Sequence, residues 1–225
     1  AIAAARQNQA NAVRATVRRI VTGRGKQVMV KITPGKGNGM KAIGAHLRYI
    51  SRLGQGERRG TDQTLDLEDE RGDIHRTADD LKVLRQRWQL EGAYIPEQTK
   101  RREAFNIIFS MPVGTPEIAL QHAVRQTARQ LFAGHKYVMV LHTDQGAPHV
   151  HVMVRAEGAD RQRLNPRKAD LERWRVTFAA NLQDLGVDAI NTRQATRLQS
   201  RQPHRQWEPK ATRRAFQRDD PARQR

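Results

Sequence analysis

His142-Thr-Asp144-Gln-Gly-Ala-Pro148-His149-Val-His151-Val-Met-Val154 is the stretch on which the fold turns. Tyr137–Thr143 and His149–Ala156 read as strands on either side of the turn Asp144–Pro148, and so short a connection makes them an antiparallel hairpin. Residues two apart in a strand share a face, so His149 and His151 point one way while Val150, Val152 and Val154 point the other, into a core. His142 ends the first strand and is folded back beside the pair. Three of the eight histidines therefore converge on one point. Imidazole is a common ligand for first-row divalent ions, and the pattern reads as a metal site. The plainer reading is a set of polar side chains on a solvated sheet face. It suits a lone histidine better than an alternating pair with a third seven residues upstream. Three neutral ligands leave the charge of the ion uncompensated, which makes it electrophilic towards a phosphate oxygen. Asp144 can accept the second ring N–H of one histidine and so fix its tautomer. Three histidines suit Zn2+, while Mg2+ or Mn2+ serves phosphoryl transfer, so the identity of the ion stays open.

Outward from the hairpin, strand-like and helix-like segments alternate. Gln27–Thr33 is β-rich and stops at Pro34-Gly35. Met40–Arg52 carries Ile43, Leu47 and Ile50 at helical spacing, with Gly54 able to stop it. Residues 54–74 are polar and glycine-punctuated, an insertion whose Asp66, Glu68, Asp69, Glu70 and Asp73 read as solvated or as ordered only by a partner. Thr77 caps a helix with Leu81, Leu84, Trp88 and a fourth candidate, Val83, on its apolar side. Ala104–Met111 is a strand, and Thr115-Pro116-Glu117 starts a helix with Thr115 as cap, running to about Phe132. Asn165-Pro166 opens a last helix that Gly186 ends, with Trp174 and Phe178 on its core side. The fold class is α+β: an antiparallel central sheet with helices packed mainly on one face.

The charge is +18, from 41 Lys and Arg against 23 Asp and Glu. It is concentrated at the ends. Residues 1–26 hold six basic groups and no acid, and residues 191–225 hold ten basic groups against three acids. Basic arms at 1–26 and 191–225 therefore flank one domain at 27–190. Such a balance argues against an enzyme of small neutral metabolites and for a polyanionic partner, nucleic acid first and an anionic membrane surface second. No apolar run is long enough to span a bilayer, no signal peptide is visible, and a bacterial cytoplasmic location is expected. The absence of cysteine excludes disulfides, thiolate zinc sites and a cysteine nucleophile. A chain that starts at Ala1 reads as a piece of a longer protein.

The nucleophile then comes from serine, a metal-bound hydroxide or one of three tyrosines. Tyr137 lies on the hairpin and Tyr94 in the Gly92–Pro96 loop. Tyr49 lies on the first helix, outside the apolar stripe and three residues after His46. A phenol can attack a DNA phosphodiester and hold the 5′ end, but it ionises near pH 10 and needs activation. Chemistry alone leaves Tyr49 between that role and an aromatic at the edge of the core.

The segment H-x-D-x-x-x-P-H-x-H with its alternating valines resembles the third motif of conjugative relaxases, mobilisation nucleases of the histidine–hydrophobic–histidine superfamily. Val28–Thr33, Pro34-Gly35 and Leu47-Arg-Tyr49-Ile-Ser51-Arg resemble the first motif, and Ile107-Ile-Phe-Ser110-Met-Pro112-Val-Gly114-Thr115 the second. The three lie in order over about 27–156. This resemblance implies that Tyr49 is the nucleophile, that His142, His149 and His151 bind a divalent metal, that Asp144 orients a ligand, and that Ser110 helps to hold DNA. It implies strand-specific nicking and rejoining at a transfer origin through a 5′-phosphotyrosine, on single-stranded DNA. Accessory relaxosome proteins and a coupling protein are the implied partners, and the protein could travel with the transferred strand. Lys31, His46 and Arg155 are expected near the scissile phosphate, Arg155 because it shares parity with the histidine pair. Arg193, Arg197, Arg201 and Arg205 recur every four residues, and the first three would form a phosphate-tracking stripe on a helix. Trp207 is a candidate for stacking on a base. Two features depart from the family pattern, the basic arm before the tyrosine and the acidic insertion. A replication initiator of the same superfamily would carry its tyrosine after the histidine pair, and no tyrosine follows Tyr137. The residues also leave room for a hydrolase that uses a metal-bound hydroxide, and for a non-catalytic DNA-binding accessory factor.

Overall fold

A computed structural model describes residues 25–35, 38–53, 64–143 and 146–191. Among these residues, eight strands and four helices occur in the order β1 (Lys26–Gln27), β2 (Met29–Thr33), α1 (Met40–Ser51), β3 (Leu67–Asp69), β4 (Ile74–His75), α2 (Ala78–Leu90), β5 (Ala104–Ser110), α3 (Glu117–Leu131), β6 (Tyr137–His142), β7 (His149–Arg155), α4 (Lys168–Asp184) and β8 (Ala189–Ile190). Six strands form one antiparallel sheet in the order β2-β5-β7-β6-β3-β4, and β1 pairs with β8 in a short parallel ladder. The α+β class and the antiparallel hairpin β6–β7 are as expected.

The helices are shared between both faces of the sheet. Val150, Val152 and Val154 of β7 join Phe105, Ile107 and Phe109 of β5 against α3 and α4. There Phe109 meets Phe178 edge to face at 5.2 Å between ring centres, and Trp174 meets Phe132 at the same distance. On the opposite face, Val138, Val140 and Met153 pack with Leu67 under α1 and α2. The expectation of helices mainly on one face is corrected for a physical reason. Strands β6 and β7 are apolar in both parities along part of their length, and each face needs a cover. The second cover brings α1 beside the histidine end of the hairpin, where His142 and His151 are buried.

Helix α2 begins as Thr77 predicts. The Thr77 hydroxyl accepts the Asp80 N–H at 3.1 Å, and the Asp80 carboxylate accepts the Thr77 N–H at 2.9 Å, a reciprocal cap. Leu81, Leu84 and Trp88 are buried, whereas Val83 faces solvent. Thr115 does not cap α3. Its hydroxyl donates to the Pro112 carbonyl at 2.8 Å, and Pro116 takes the cap position. Helix α1 ends on Arg52, which adopts the left-handed conformation with φ 61°. Its start is anchored by the Met40 and Lys41 N–H groups, which donate to the carbonyls of Pro96 and Glu97. Gly39 precedes them with φ 85°, and a Cβ there would lie 2.7 Å from the Pro96 oxygen, so the close approach requires glycine.

The acidic stretch is solvated only in part: Asp66 and Asp73 are exposed as expected, and Glu68, Asp69 and Glu70 are not. Glu68 and Asp69 are buried on β3, which extends the sheet beside β6. Arg125 of α3 grips Glu68 through two hydrogen bonds of 2.5 and 2.6 Å. Asp69 accepts the N–H groups of Arg71 and Asp73, at 2.8 and 3.0 Å, on one oxygen. Its other oxygen accepts from His75 and Arg87, at 3.1 and 2.9 Å. Burial opposes the charge on Asp69, but the hydrogen bonds from His75, Arg71, Arg87 and Asp73 outweigh it and hold its pKa below the ordinary carboxylate value. Its stabilising contribution is therefore complete above the ordinary carboxylate range and is lost as pH falls through the depressed value. Asp69→Ala is expected to cost about 3 kcal/mol at pH 7, the low end for breaking a buried ion pair, because Glu70 also holds Arg87 at 3.0 Å. In urea unfolding the gap between variant and wild type should shrink below about pH 4. A gap independent of pH would refute the electrostatic assignment.

Candidate functional site

The hairpin register sets His142 directly opposite His149, and His151 lies opposite Val140 on one side and Ile108 on the other. Because all three histidines share one parity class in the paired ladder, their rings meet over the same patch of sheet. Ring centres are 5.3 Å apart for His142 and His149, 4.6 Å for His142 and His151, and 5.1 Å for His149 and His151. One nitrogen from each lies within 4.8 Å of the others.

Hydrogen bonds to carbonyls fix two tautomers. A carbonyl oxygen only accepts, so His142 Nε2 donates to Ile50 at 2.7 Å and His149 Nδ1 donates to Ala147 at 3.1 Å. The electron pairs are thereby directed to His142 Nδ1 and His149 Nε2. His151 Nδ1 is buried with no hydrogen-bond partner. Burial first, and then the neighbouring His142, His149, His46 and Lys31, push the pKa of His151 down to about 3. Burial lowers His46 to about 4. Both rings are neutral near pH 7 and keep an electron pair to donate. An orphaned buried nitrogen and two oriented imidazoles fit a divalent cation.

Helix α1 packs beside this patch. Its stripe Met40, Ile43, Leu47 and Ile50 is buried, which turns Tyr49 outward at 49% exposure. The His46 ring bridges the two groups, 5.9 Å from the Tyr49 ring and 6.5 Å from that of His151. The same helix delivers two further contacts to the cluster. The Ile50 carbonyl orients His142, and Arg52 Nη2 approaches His142 Nδ1 at 3.5 Å. Reading the sequence missed Arg52. The signal was an arginine just past the end of the tyrosine helix, where a residue without glycine's freedom takes the left-handed turn.

The remaining expected residues divide. Lys31 is exposed and lies opposite Ile108, in one cross-sheet row with His151. Ser110 lies opposite His149, but it is buried, and its hydroxyl donates to the Pro148 carbonyl at 3.3 Å. It ties β5 to the turn before His149. Arg155 is corrected outright. It is 3% exposed at the far end of β7, and its guanidinium donates to the carbonyls of Glu91 and Ala93. Parity placed it on the histidine face, but distance along the strand takes it to the loop after α2, which it clamps. Tyr137 is packed in the core, while Tyr94 is exposed beside Gln89. Asp144, Arg193, Arg197, Arg201, Arg205 and Trp207 lie outside the described residues.

The sequence pattern of the family described as "Relaxase: MobA/VirD2-like, nuclease domain" matches residues 49–186, more than half of the chain. The T-DNA border endonuclease VirD2 of Agrobacterium fabrum is 31% identical over 140 residues, covering 57% of this chain and 30% of that protein. The VirD2 protein of Rhizobium radiobacter is 31% identical over 140 residues, covering 57% of this chain and 31% of its own length. The chain thus spans about a third of the length of the curated relatives it matches. Among solved structures, the MobM relaxase domain bound to a 26-nucleotide pMV158 oriT DNA aligns with a TM-score of 0.48 and 10% identity, over 77% of this chain and 95% of that one. The matched family and the histidine cluster together point to a divalent metal site.

Proposed function

Given that the chain belongs to the family of MobA/VirD2-like relaxase nuclease domains, we propose that it nicks one DNA strand at the transfer origin of a plasmid or integrative element and rejoins it, with Tyr49 as nucleophile. The observation that carries this reading is the placement of an exposed Tyr49 on the helix that also orients His142, one histidine ring away from the cluster.

In the proposed reaction the Tyr49 oxygen forms a bond to the scissile phosphorus and loses its proton to the surrounding medium. The bond from phosphorus to the 3′ oxygen breaks, and that oxygen takes up a proton to leave a free 3′-OH. The ester is conserved as a 5′-phosphotyrosine, so the reverse attack rejoins the strand without ATP. His142, His149 and His151 would hold a divalent ion, Mg2+ or Mn2+ in preference to Zn2+. When bound, such an ion supplies Lewis-acid stabilisation of charge on the phosphate. The chain's own groups do the rest. Ile50 and Ala147 set the tautomers of two ligands. Ser110 holds the turn, while Lys31 and His46 flank the approach to the phosphate, and Arg52 offers a further cation beside the ligand cluster. The basic arms supply grip on the phosphate backbone that does not depend on sequence and weakens with salt.

Relaxosome accessory proteins, a coupling protein and the bacterial cytoplasm belong to the same reading. Among the described residues no helix is long and apolar enough to cross a membrane. The test is incubation of the Mn2+-loaded chain with supercoiled plasmid carrying its transfer origin, followed by denaturing electrophoresis. A nicked circle with protein attached to its 5′ end is expected. A nicked circle with a free 5′-phosphate would favour hydrolysis by a bound hydroxide instead, and uncut plasmid would favour a non-catalytic accessory factor.

A further inference from the structure

A cavity adjoins the same site. About 560 Å3 in volume, it lies between α1 and the β2–β5 side of the sheet, with Tyr49, His46 and His151 at one end. This volume lies within the range of about 300–1,000 Å3 typical of pockets that enclose a small ligand. Its lining is mixed: Ala42 and Ile43 from α1 and Ile108 and Met153 from the sheet supply apolar surface, and Thr33, Asn38, Arg102 and Glu103 add polar and charged groups. Two amides line it, Asn38 and Asn106, and Asn38 donates to the Lys100 carbonyl at 3.0 Å. Asn106 is 9% exposed, and its Oδ1 is buried without any hydrogen-bond partner. The ladder explains why it points there. Asn106 pairs with Met153 and Thr33, in the row next but one to that of His151, Ile108 and Lys31, so it shares their face. Two residues along a strand is about 7 Å, the reach of one nucleotide from a phosphate held at the histidine cluster.

A buried, unpaired amide oxygen costs stability and persists where something else completes it. We infer that this cavity receives a single unstacked base of the bound DNA strand, next to the scissile phosphate, and that Asn106 selects a base bearing an exocyclic amine. The shape and chemistry agree. The apolar side chains Ala42, Ile43, Ile108 and Met153 offer contact for the ring, and a carboxamide offers an acceptor and a donor side by side, the pattern that pairs with adenine N6 and N7. Histidine and tyrosine rings at the mouth provide stacking surface. The inference rests on the DNA-cleavage reading and adds to it a specificity-determining residue outside the metal ligands. None of the expectations drawn from the sequence included Asn106.

The experiment is a binding selection from random-sequence single-stranded oligonucleotides, with the full chain in EDTA so that no strand is cut. Wild type, Asn106→Leu and Ala42→Met, which fills the cavity from α1, are compared. Wild type should enrich a motif in which one position is an amine-bearing base. Asn106→Leu should lose at least tenfold of the preference at that position alone, with the other positions unchanged, and its thermal midpoint should equal or exceed that of wild type. Ala42→Met should lose the same position. An unchanged motif in Asn106→Leu, or a uniform loss at every position, overturns the base pocket while leaving the cleavage reading intact. Failure of the wild type to enrich any motif overturns both.

Discussion

Tyr49→Phe is expected to abolish the covalent protein–DNA adduct, a loss on the order of 10^4-fold or more, because removal of a nucleophile takes away the whole covalent route. The change deletes one oxygen from a side chain that is half exposed and lies outside the apolar stripe of its helix. Folding stability should stay within about 0.5 kcal/mol of wild type. Affinity for single-stranded DNA should change little, since the ring and every basic group remain. Denaturing gels with 3′-labelled nick-site DNA read the adduct, and fluorescence anisotropy reads the binding. Should Tyr49→Phe still form an adduct at the wild-type rate, Tyr49 is not the attacking group, and exposed Tyr94 becomes the next candidate.

The second large effect is expected at the histidines. His149→Ala removes one of three candidate ligands and opens the cluster on its half-buried side. Metal affinity should fall by more than the roughly 10–100-fold that loss of an outer-shell partner costs, and adduct formation should fall with it. The variant also loses the hydrogen bond to the Ala147 carbonyl, worth about 1 kcal/mol, so the fold should persist. Direct Mn2+ titration separates this from a general defect. Wild type should bind one ion per chain, and His149→Ala none at the same concentration. Equal stoichiometry and affinity in both proteins would remove the histidine cluster from the metal site. Ile50 offers an internal control, since its carbonyl orients His142 from α1. A substitution of its side chain disturbs packing but keeps the carbonyl, and should leave metal binding nearly intact.

The residues differ in how far they could be read in advance. The hairpin was legible because period-two alternation and a short proline-bearing turn are local signals. Tyr49 was legible as an outward residue for the same reason, through the 3.6-residue stripe of its own helix. The acidic stretch was partly misread because composition looked solvated. Its partners, Arg87 and Arg125, are 18 and 57 residues away from Asp69 and Glu68, and nothing local announces such pairs. Arg155 was misplaced because strand parity fixes the face of a side chain but not its position along the strand. Asn106 was invisible because an asparagine in an apolar strand becomes informative only once its oxygen is known to be buried and unpaired.

By itself the sequence determined the α+β class, the β6–β7 hairpin with its three convergent histidines, and the helix that presents Tyr49. Each of these follows from spacings within one or two elements, where backbone geometry alone dictates which side chains share a face. Only the tertiary structure decided that helices cover both faces, that α1 packs beside the histidine end of the hairpin with its Ile50 carbonyl and Arg52 on His142, and that Tyr49 and Asn106 line one cavity. Those features depend on which strands are neighbours in the order β2-β5-β7-β6-β3-β4. That order is set by the burial of many distant apolar groups at once, a sum that no local pattern contains.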